Sequence, residues 1–283
     1  MADGAYRALG NAPAPDPARV DGIDAAFDAS AAHAFGEPAR AAAVERIDRA
    51  LTAARADTLE AAASALSIVR TRIEALRPEA LDPRHGLAGL FDSRSKRLNG
   101  FREQFREAAD RLADSGAALA DRVEAAARRA ASLDAVWAEV RDDVADLDAH
   151  LAAAARRLTS QAPAEDGAPH PLEARKATLD VCRAAVLQAL PLIRGSQNAD
   201  ARTSEALKSC TDGLAVWRDD CREALGLSVK RPRRIRPDKE RLARSRDQAL
   251  VRIDRTLAEL TTLGVRRRDV ERRLTAVGTG LRS

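Results

Sequence analysis

The chain has 283 residues and a formal net charge of +4, with 32% charged and only 3% aromatic residues. An apolar set made mostly of Ala, Leu and Val excludes a thick globular core and favours long helices that meet along narrow seams. Runs of β-branched and aromatic residues between turns are missing, so no β-sheet class is expected. We therefore predict an all-α protein of elongated antiparallel helical hairpins, a coiled-coil-like helical bundle.

Residues 1–38 are predicted to form a largely disordered or weakly helical lead. Pro13, Pro15 and Pro17 interrupt its start, and it has no apolar region of the kind found in a signal peptide. No run in the chain approaches the roughly 18 apolar residues of a membrane span. We expect a cytoplasmic protein.

Residues 39–227 are predicted to form the main helical bundle. The first apolar seam ends at Arg77-Pro78, because a residue before proline is pushed out of the helical region. A compact connection from Pro78 to about Arg94 then predicts an antiparallel hairpin. The seam consists of Leu59, Ala62, Leu66, Val69, Ile73 and Leu76.

The second seam is the most regular signal in the chain. Its apolar residues alternate four- and three-residue steps over six heptads, which predicts one continuous helix from near Ser95 to near Leu158. At 1.5 Å per residue such a helix is roughly 95 Å long. A Pro/Gly/Ala-rich loop follows, and Pro171 is the expected first residue of the next helix. The seam runs through Leu119, Val123, Ala126, Ala130, Leu133, Trp137, Val140, Val144, Leu147, Leu151, Ala154 and Leu158.

The next helix contains an unusual polar stretch around Pro191. Proline removes a backbone donor, so a kink or break is expected there. Arg194, Gln197 and Asn198 share one face, and Gln197 occupies a position where the next apolar residue should be. Two interpretations remain open, namely a polar layer that fixes helix register and a small anion or partner site built on Arg194. The apolar residues of this helix are Leu172, Leu179, Val186, Ile193, Leu207, Cys210, Leu214, Trp217, Cys221 and Ala224.

This stretch carries a family resemblance. Pro191, Ile193-Arg194 and Gln197-Asn198, followed by Trp217-Arg218, resemble the bacterial toxic-anion (tellurite) resistance family of the TelA type, over about residues 78–227. Weaker matches are residues 86–91, Phe101, Gly116 and the leucine rows. The resemblance implies a soluble helical protein without an established catalytic site, which contributes to resistance to tellurite and to chemical or envelope stress. It also implies other stress-resistance proteins as partners.

Residues 228–283 are predicted to be a basic linker plus a C-terminal helix. They hold 17 Lys and Arg against 7 Asp and Glu, a net of about +10, so the first 227 residues carry about −6. The segment is a candidate for an anionic membrane surface, for phosphates, or for pairing with the acidic remainder of the chain. No aromatic residue follows Trp217, so specific nucleic-acid binding is not expected. The candidate binding residues in the linker are Lys230, Arg231, Arg233, Arg234 and Arg236.

No pattern predicts an enzyme, a cofactor or a metal. The four histidines are scattered without paired-ligand spacing. Asp142-Asp143, Asp146 and His150 share a polar helix face, for which a weak cation site and a solvated coiled-coil face are the two interpretations. The three cysteines are expected to be reduced, structural thiols. They are Cys182, Cys210 and Cys221.

The functional prediction is a non-enzymatic scaffold or adaptor that acts through protein contacts in stress resistance. The alternative is a peripheral membrane-binding module, anchored at the inner face of the membrane by its Arg-rich C-terminal region. An oligomer is compatible with either, because helical seams pack equally well within one chain and between two.

Overall fold

A computed structural model describes residues 14–55, 59–82, 93–160, 170–228 and 237–282. Within these ranges the chain forms six α-helices and two short 3₁₀ helices and contains no strand, which confirms the all-α prediction. The 3₁₀ helices are Ala29–Ala34 and Pro78–Leu81. The α-helices are α1 (Pro17–Ala25), α2 (Glu37–Ala54), α3 (Glu60–Glu74), α4 (Arg94–Ser160), α5 (Pro171–Ala224) and α6 (Lys239–Arg282).

The helices build two compact units. Among the described residues, the first unit takes those within 1–56, 128–199 and 266–283, and the second takes those within 57–127 and 200–265. The three long helices α4, α5 and α6 therefore each contribute residues to both units. Each unit has its own hydrophobic core.

The first unit buries one face of α2 against α4, α5 and the end of α6. Within it, α4 and α5 run antiparallel, since Arg183 pairs with Asp148 and Arg194 pairs with Asp134. The residues at the centre of this core include Ile47, Val140, Leu147, Leu179, Val186, Ile193 and Leu274, all fully buried.

The second unit packs α3 against the first part of α4, the last part of α5 and the first part of α6. Phe105 and Trp217 supply its largest side chains, with ring centroids 5.7 Å apart. Around them lie Leu66, Val69, Ile73, Leu119, Leu207, Leu214 and Ile253, all fully buried. This core uses residues of the three predicted apolar patterns, on α3, α4 and α5.

The predicted bounds of the long helix and the predicted start of α5 are confirmed. At Pro191, the site of the predicted kink or break, the helix does not break. The long helix was expected from about residue 95 to 158 and spans Arg94–Ser160, and α5 begins at Pro171 as expected. α5 continues through Pro191, whose ring side is exposed. Leu190 and Ile193 on either side are buried. Burial of such side chains, at about 1.5–3 kcal/mol each, offsets the roughly 3 kcal/mol that an interior proline costs.

The two ends of the described chain pack into the fold. Val20 of α1 is buried against Ala149 and Ala153 of α4, within the segment predicted to be a largely disordered or weakly helical lead. α6 buries Ile253 in the core of the second unit and Leu274 in the core of the first. The C-terminal helix is therefore a core element of both units. Residues 1–13 of the lead lie outside the described residues.

Gly36 gives the first prediction. It precedes α2 with a φ of +67°, and a Cβ added there would lie 2.8 Å from Leu179 Cδ1. We expect Gly36→Ala to lower the free energy of unfolding by about 2–4 kcal/mol, through backbone strain and overpacking together. Chemical denaturation followed by circular dichroism measures it.

The matched control for Gly36 is Gly22, which lies inside α1 with no atom within 4 Å of an added Cβ. Gly22→Ala should raise the free energy of unfolding by up to about 1 kcal/mol, because alanine favours a helix interior. Equal effects of the two substitutions would contradict the assigned role of Gly36.

Candidate functional site

The polar stretch of α5 does not act as one unit. Ile193 is fully buried in the core of the first unit, while Pro191 and Asn198 are exposed. Arg194 and Gln197 are half-buried and turn toward α4. Of the predicted motif, only these last two side chains meet at a common point.

Arg194 is the centre of a clamp between α5 and α4, which we call the Arg194 clamp. Its Nη1 donates to Asp134 Oδ1 and to Gln197 Oε1, both at 2.6 Å. Gln197 Nε2 donates to the same Asp134 oxygen at 3.1 Å. The guanidinium lies over the ring of Trp137, 4.0 Å from the centroid. Arginine thus combines an ion pair with stacking on the indole, a geometry that lysine cannot reproduce.

The electrostatics of the clamp follow from this geometry. The hydrogen bond from Arg194, with a smaller contribution from Gln197, holds the pKa of Asp134 below its usual value of 3.8. Trp137 is 5% exposed, so the guanidinium covers the indole and closes the seam between the two helices. The clamp favours the interpretation that these polar residues fix helix register.

The buried polar layer of α5 lies one residue away from its predicted position. Gln197 is at the edge of the seam, whereas Ser196, Asp200 and Thr203 are 1–2% exposed. Together with Ile193 and Leu207 they follow steps of three and four residues, so the apolar seam continues through three polar residues. Leu172, Leu179, Val186 and Ile193 recur every seven residues, and the next position in this row is Asp200. The sequence therefore contained a sign that Asp200 is buried.

Trp217 does not take part in the Arg194 clamp. It belongs to the second unit, is 2% exposed and packs against Phe105. Its Nε1 atom is buried and has no hydrogen-bond partner among the described residues. Trp217 is therefore a core residue, and the motif residues are divided between two cores.

The predicted basic binding residues lie outside the described residues. They are Lys230, Arg231, Arg233, Arg234 and Arg236. In the helix that follows, several basic side chains pair with acids of the second unit. Lys239 Nζ lies 2.9 Å from Asp82 Oδ2, and Arg241 Nη2 lies 2.7 Å from Glu223 Oε2. These pairs favour the interpretation that the basic C-terminal segment neutralises acidic parts of its own chain.

Sequence reasoning missed a buried carboxylate in the first unit. Asp143 of α4 is 5% exposed, and Arg46 of α2 donates to its Oδ1. Its Oδ2 is buried with no hydrogen-bond partner among the described residues. Burial raises the pKa of Asp143 to about 6, although Arg46 opposes the shift. The prediction of a solvated face is therefore wrong at this position, since α2 covers it.

The neighbouring polar residues of α4 are also packed. His150 Nδ1 lies 3.4 Å from Asp146 Oδ1, and Arg19 of α1 pairs with the same carboxylate at 2.9 Å. Burial alone would lower the pKa of His150, but the hydrogen bonds to Asp146 outweigh it and raise that pKa above 6.5. Across the described ranges, no group of three or more His, Cys, Asp and Glu side chains is arranged to hold a metal ion.

The three cysteines are buried and unpaired with one another. Burial raises the pKa of Cys182 to about 11 and that of Cys221 to about 12. It also raises the pKa of Cys210. The thiolate is the reactive form of cysteine, so these positions favour the predicted structural role.

Comparisons with known proteins add no relative. No family model matches the chain, and neither a curated protein nor a solved structure matches it. The resemblance to the tellurite-resistance family therefore rests on the sequence motifs named above alone. Of the described helices, none has a stretch long and apolar enough to cross a bilayer.

The Arg194 clamp gives the second prediction. Arg194→Ala should lower the free energy of unfolding by about 1–2 kcal/mol, since it removes both the stacking and the half-exposed ion pair. The stability of Arg194→Lys should lie between those of the wild type and Arg194→Ala, because lysine keeps the charge but lacks the planar guanidinium. Asn198→Ala, exposed on the same helix, is the control and should change stability by less than about 0.5 kcal/mol. A neutral Arg194→Ala would contradict the clamp.

Asp143 gives the third prediction, a pH dependence of stability. Its folded pKa of about 6 exceeds the ordinary 3.8, so the folded chain binds this proton more tightly than the unfolded chain does. The contribution of Asp143 to the free energy of unfolding is therefore fully present below pH 3.8 and is lost as the pH rises from there through about 6. Over that window the loss is at most about 3 kcal/mol.

Asp143→Asn removes the titration of this carboxyl. We expect the variant to lose less stability than the wild type between about pH 4 and pH 7 in urea unfolding. The matched control is Asp142→Asn, because Asp142 is the exposed neighbour on the same helix. If both variants show the wild-type pH dependence, Asp143 is not the group responsible.

Proposed function

We propose that the chain is a non-enzymatic helical scaffold that acts through protein contacts in bacterial resistance to toxic anions such as tellurite. The observation that carries the scaffold role is the Arg194 clamp. Arg194 is the motif residue best suited to hold an anion, and its guanidinium is engaged by Asp134, Gln197 and Trp137 of its own chain. Its role is then to set the packing of α4 and α5, whose outer faces stay available to partners.

The burial of the thiols supports the same proposal. Direct reduction of tellurite by the chain would need an accessible thiolate, whereas Cys182, Cys210 and Cys221 are buried with raised pKa values. Protection would then come from the proteins that the scaffold brings together. The stress-resistance partners implied by the family resemblance are of this kind.

The fourth prediction tests this function in cells. Deleting the gene in the source organism should lower the tellurite concentration that stops growth, and expression of the wild-type chain should restore it. A variant with all three cysteines replaced by alanine should restore it equally, provided that circular dichroism shows a folded chain. Unchanged sensitivity of the deletion strain would overturn the resistance role. Failure of the folded cysteine-free variant alone would point to thiol chemistry instead.

The membrane-binding alternative has a test of its own. A truncation at Leu227 would remove Ile253 and Leu274 from the two cores, so the full chain is the proper sample. The comparison variant replaces the five basic residues at positions 230–236 with glutamine. Because α6 pairs many of its charges internally, we expect neither form to float with anionic liposomes at physiological salt. Selective flotation of the wild type would favour the membrane role.

A further inference from the structure

An open groove runs between α5 and α6 in the second unit, with a cavity volume of about 760 Å³. Val251 of α6 lines the groove and is 68% exposed. Val216 lies further along α5 and is 69% exposed. Charged side chains of both signs line the same groove. They are Arg202 and Glu205 from α5, and Asp247, Arg252, Arg255 and Glu259 from α6.

The floor of the groove is made of small residues. Ala206, Ser209 and Gly213 of α5 lie along it. The side chain of Arg252 crosses from α6 and lies against Gly213, and its Nη1 donates to the carbonyl oxygen of Ser209 at 3.3 Å. Arg252 therefore fills the space over Gly213, and another helical surface can approach the floor only beside Arg252, near Ala206 and Ser209.

Four charged residues lie at one end of the groove, two on each of its helices. Arg202, Glu205, Arg255 and Glu259 are exposed and form no ion pair with another residue in the described part of the chain. Elsewhere in the second unit, cross-helix pairs are common. Examples are Arg70 with Asp254, Arg72 with Glu107 and Arg241 with Asp220.

These four residues alternate in sign across the groove. α5 and α6 are antiparallel, since Arg241 pairs with Asp220 and Arg252 contacts Ser209. The same register places Arg202 across from Glu259, and Glu205 across from Arg255, about one helical turn further on. At the height of Arg202 and Glu259, the positive charge is therefore on α5 and the negative charge on α6. One turn along, at Glu205 and Arg255, the signs are reversed.

We propose that this groove is the contact surface between two copies of the chain, related by a two-fold axis parallel to α5 and α6. Such a rotation lays α5 of one copy over α6 of the other at the same level. Arg202 then faces Glu259 of the second copy, and Glu205 faces Arg255 of the second copy. Because a two-fold contact repeats each interaction, the dimer forms four ion pairs between opposite charges.

The sign pattern selects a second copy over an unrelated helix. Any other partner would have to bring the complementary order of charges, whereas the α5–α6 face carries that order itself. The contact also removes Val216 and Val251 from water. Exposed ion pairs are individually weak and are screened by salt, so the dimer is weaker at high ionic strength. This inference does not depend on the proposed resistance role.

The test is sedimentation velocity of the purified full chain over a range of concentrations, at low and high salt. Glu205→Arg and Arg255→Glu each bring two like-charge contacts into the dimer. Each should raise the dissociation constant at least about tenfold, which corresponds to about 1.4 kcal/mol. The double variant Glu205→Arg/Arg255→Glu restores opposite charges and should recover most of the affinity.

Two controls separate the groove from general charge effects. Arg268→Glu changes an exposed arginine of α6 in the first unit, and Glu45→Arg changes an exposed glutamate of α2. Both should dimerise like the wild type, and all variants should show wild-type circular dichroism. A chain that is monomeric at every concentration overturns the proposal, as does a dimer that ignores both reversals. A double variant that stays as weak as the single ones also overturns it.

Discussion

Narrow apolar seams are the constraint on which both units depend. Along α4 and α5 the buried residues recur every three or four positions, and alanines such as Ala126 and Ala154 occupy some of them with no exposed surface. Small residues let the helix axes come close together, which leaves little space for aromatic side chains. Most of the larger buried side chains are accordingly leucines, isoleucines and valines. Such a seam supplies little area per residue. The long helices compensate by continuing the pattern over many turns.

Several pairs of an arginine and a carboxylate join helices that the apolar seams bring together. Arg46 reaches Asp143 from α2, Arg194 reaches Asp134 from α5, and Arg241 reaches Asp220 from α6. Arginine suits these places because its long stem lies on apolar surface while its guanidinium reaches a carboxylate. Contacts between helices thus account for part of the arginine content of the described residues.

The sequence predicted helices better than it predicted which polar residues are buried. Strict four- and three-residue steps defined α4 to within two residues at each end. Between Ile193 and Leu207, however, a seam can pass through Ser196 and Thr203 or through Gln197 and Ser204, and the residues are polar either way. Only the neighbouring helices decide between the two paths.

The burial of Asp143 and the groove between α5 and α6 could not be predicted from local sequence patterns, because both depend on how distant helices pack. Asp142 and Asp143 are equal in sequence terms, and Asp143 is buried because α2, about 95 residues earlier, places Arg46 beside it. The groove between α5 and α6 depends on their register, which no single helix encodes. The clamp residues were identified from sequence, whereas their partner Asp134 and the stacking on Trp137 came from the packing of α4 against α5.

The two tryptophans of the chain are distributed one to each core. Trp137 lies under a guanidinium in the first unit, and Trp217 packs against Phe105 in the second. Each unit therefore carries an intrinsic fluorophore in a different environment. Replacing one indole by phenylalanine leaves an emission signal that belongs to a single unit, so the protein can report whether its two cores melt in one cooperative transition or in two.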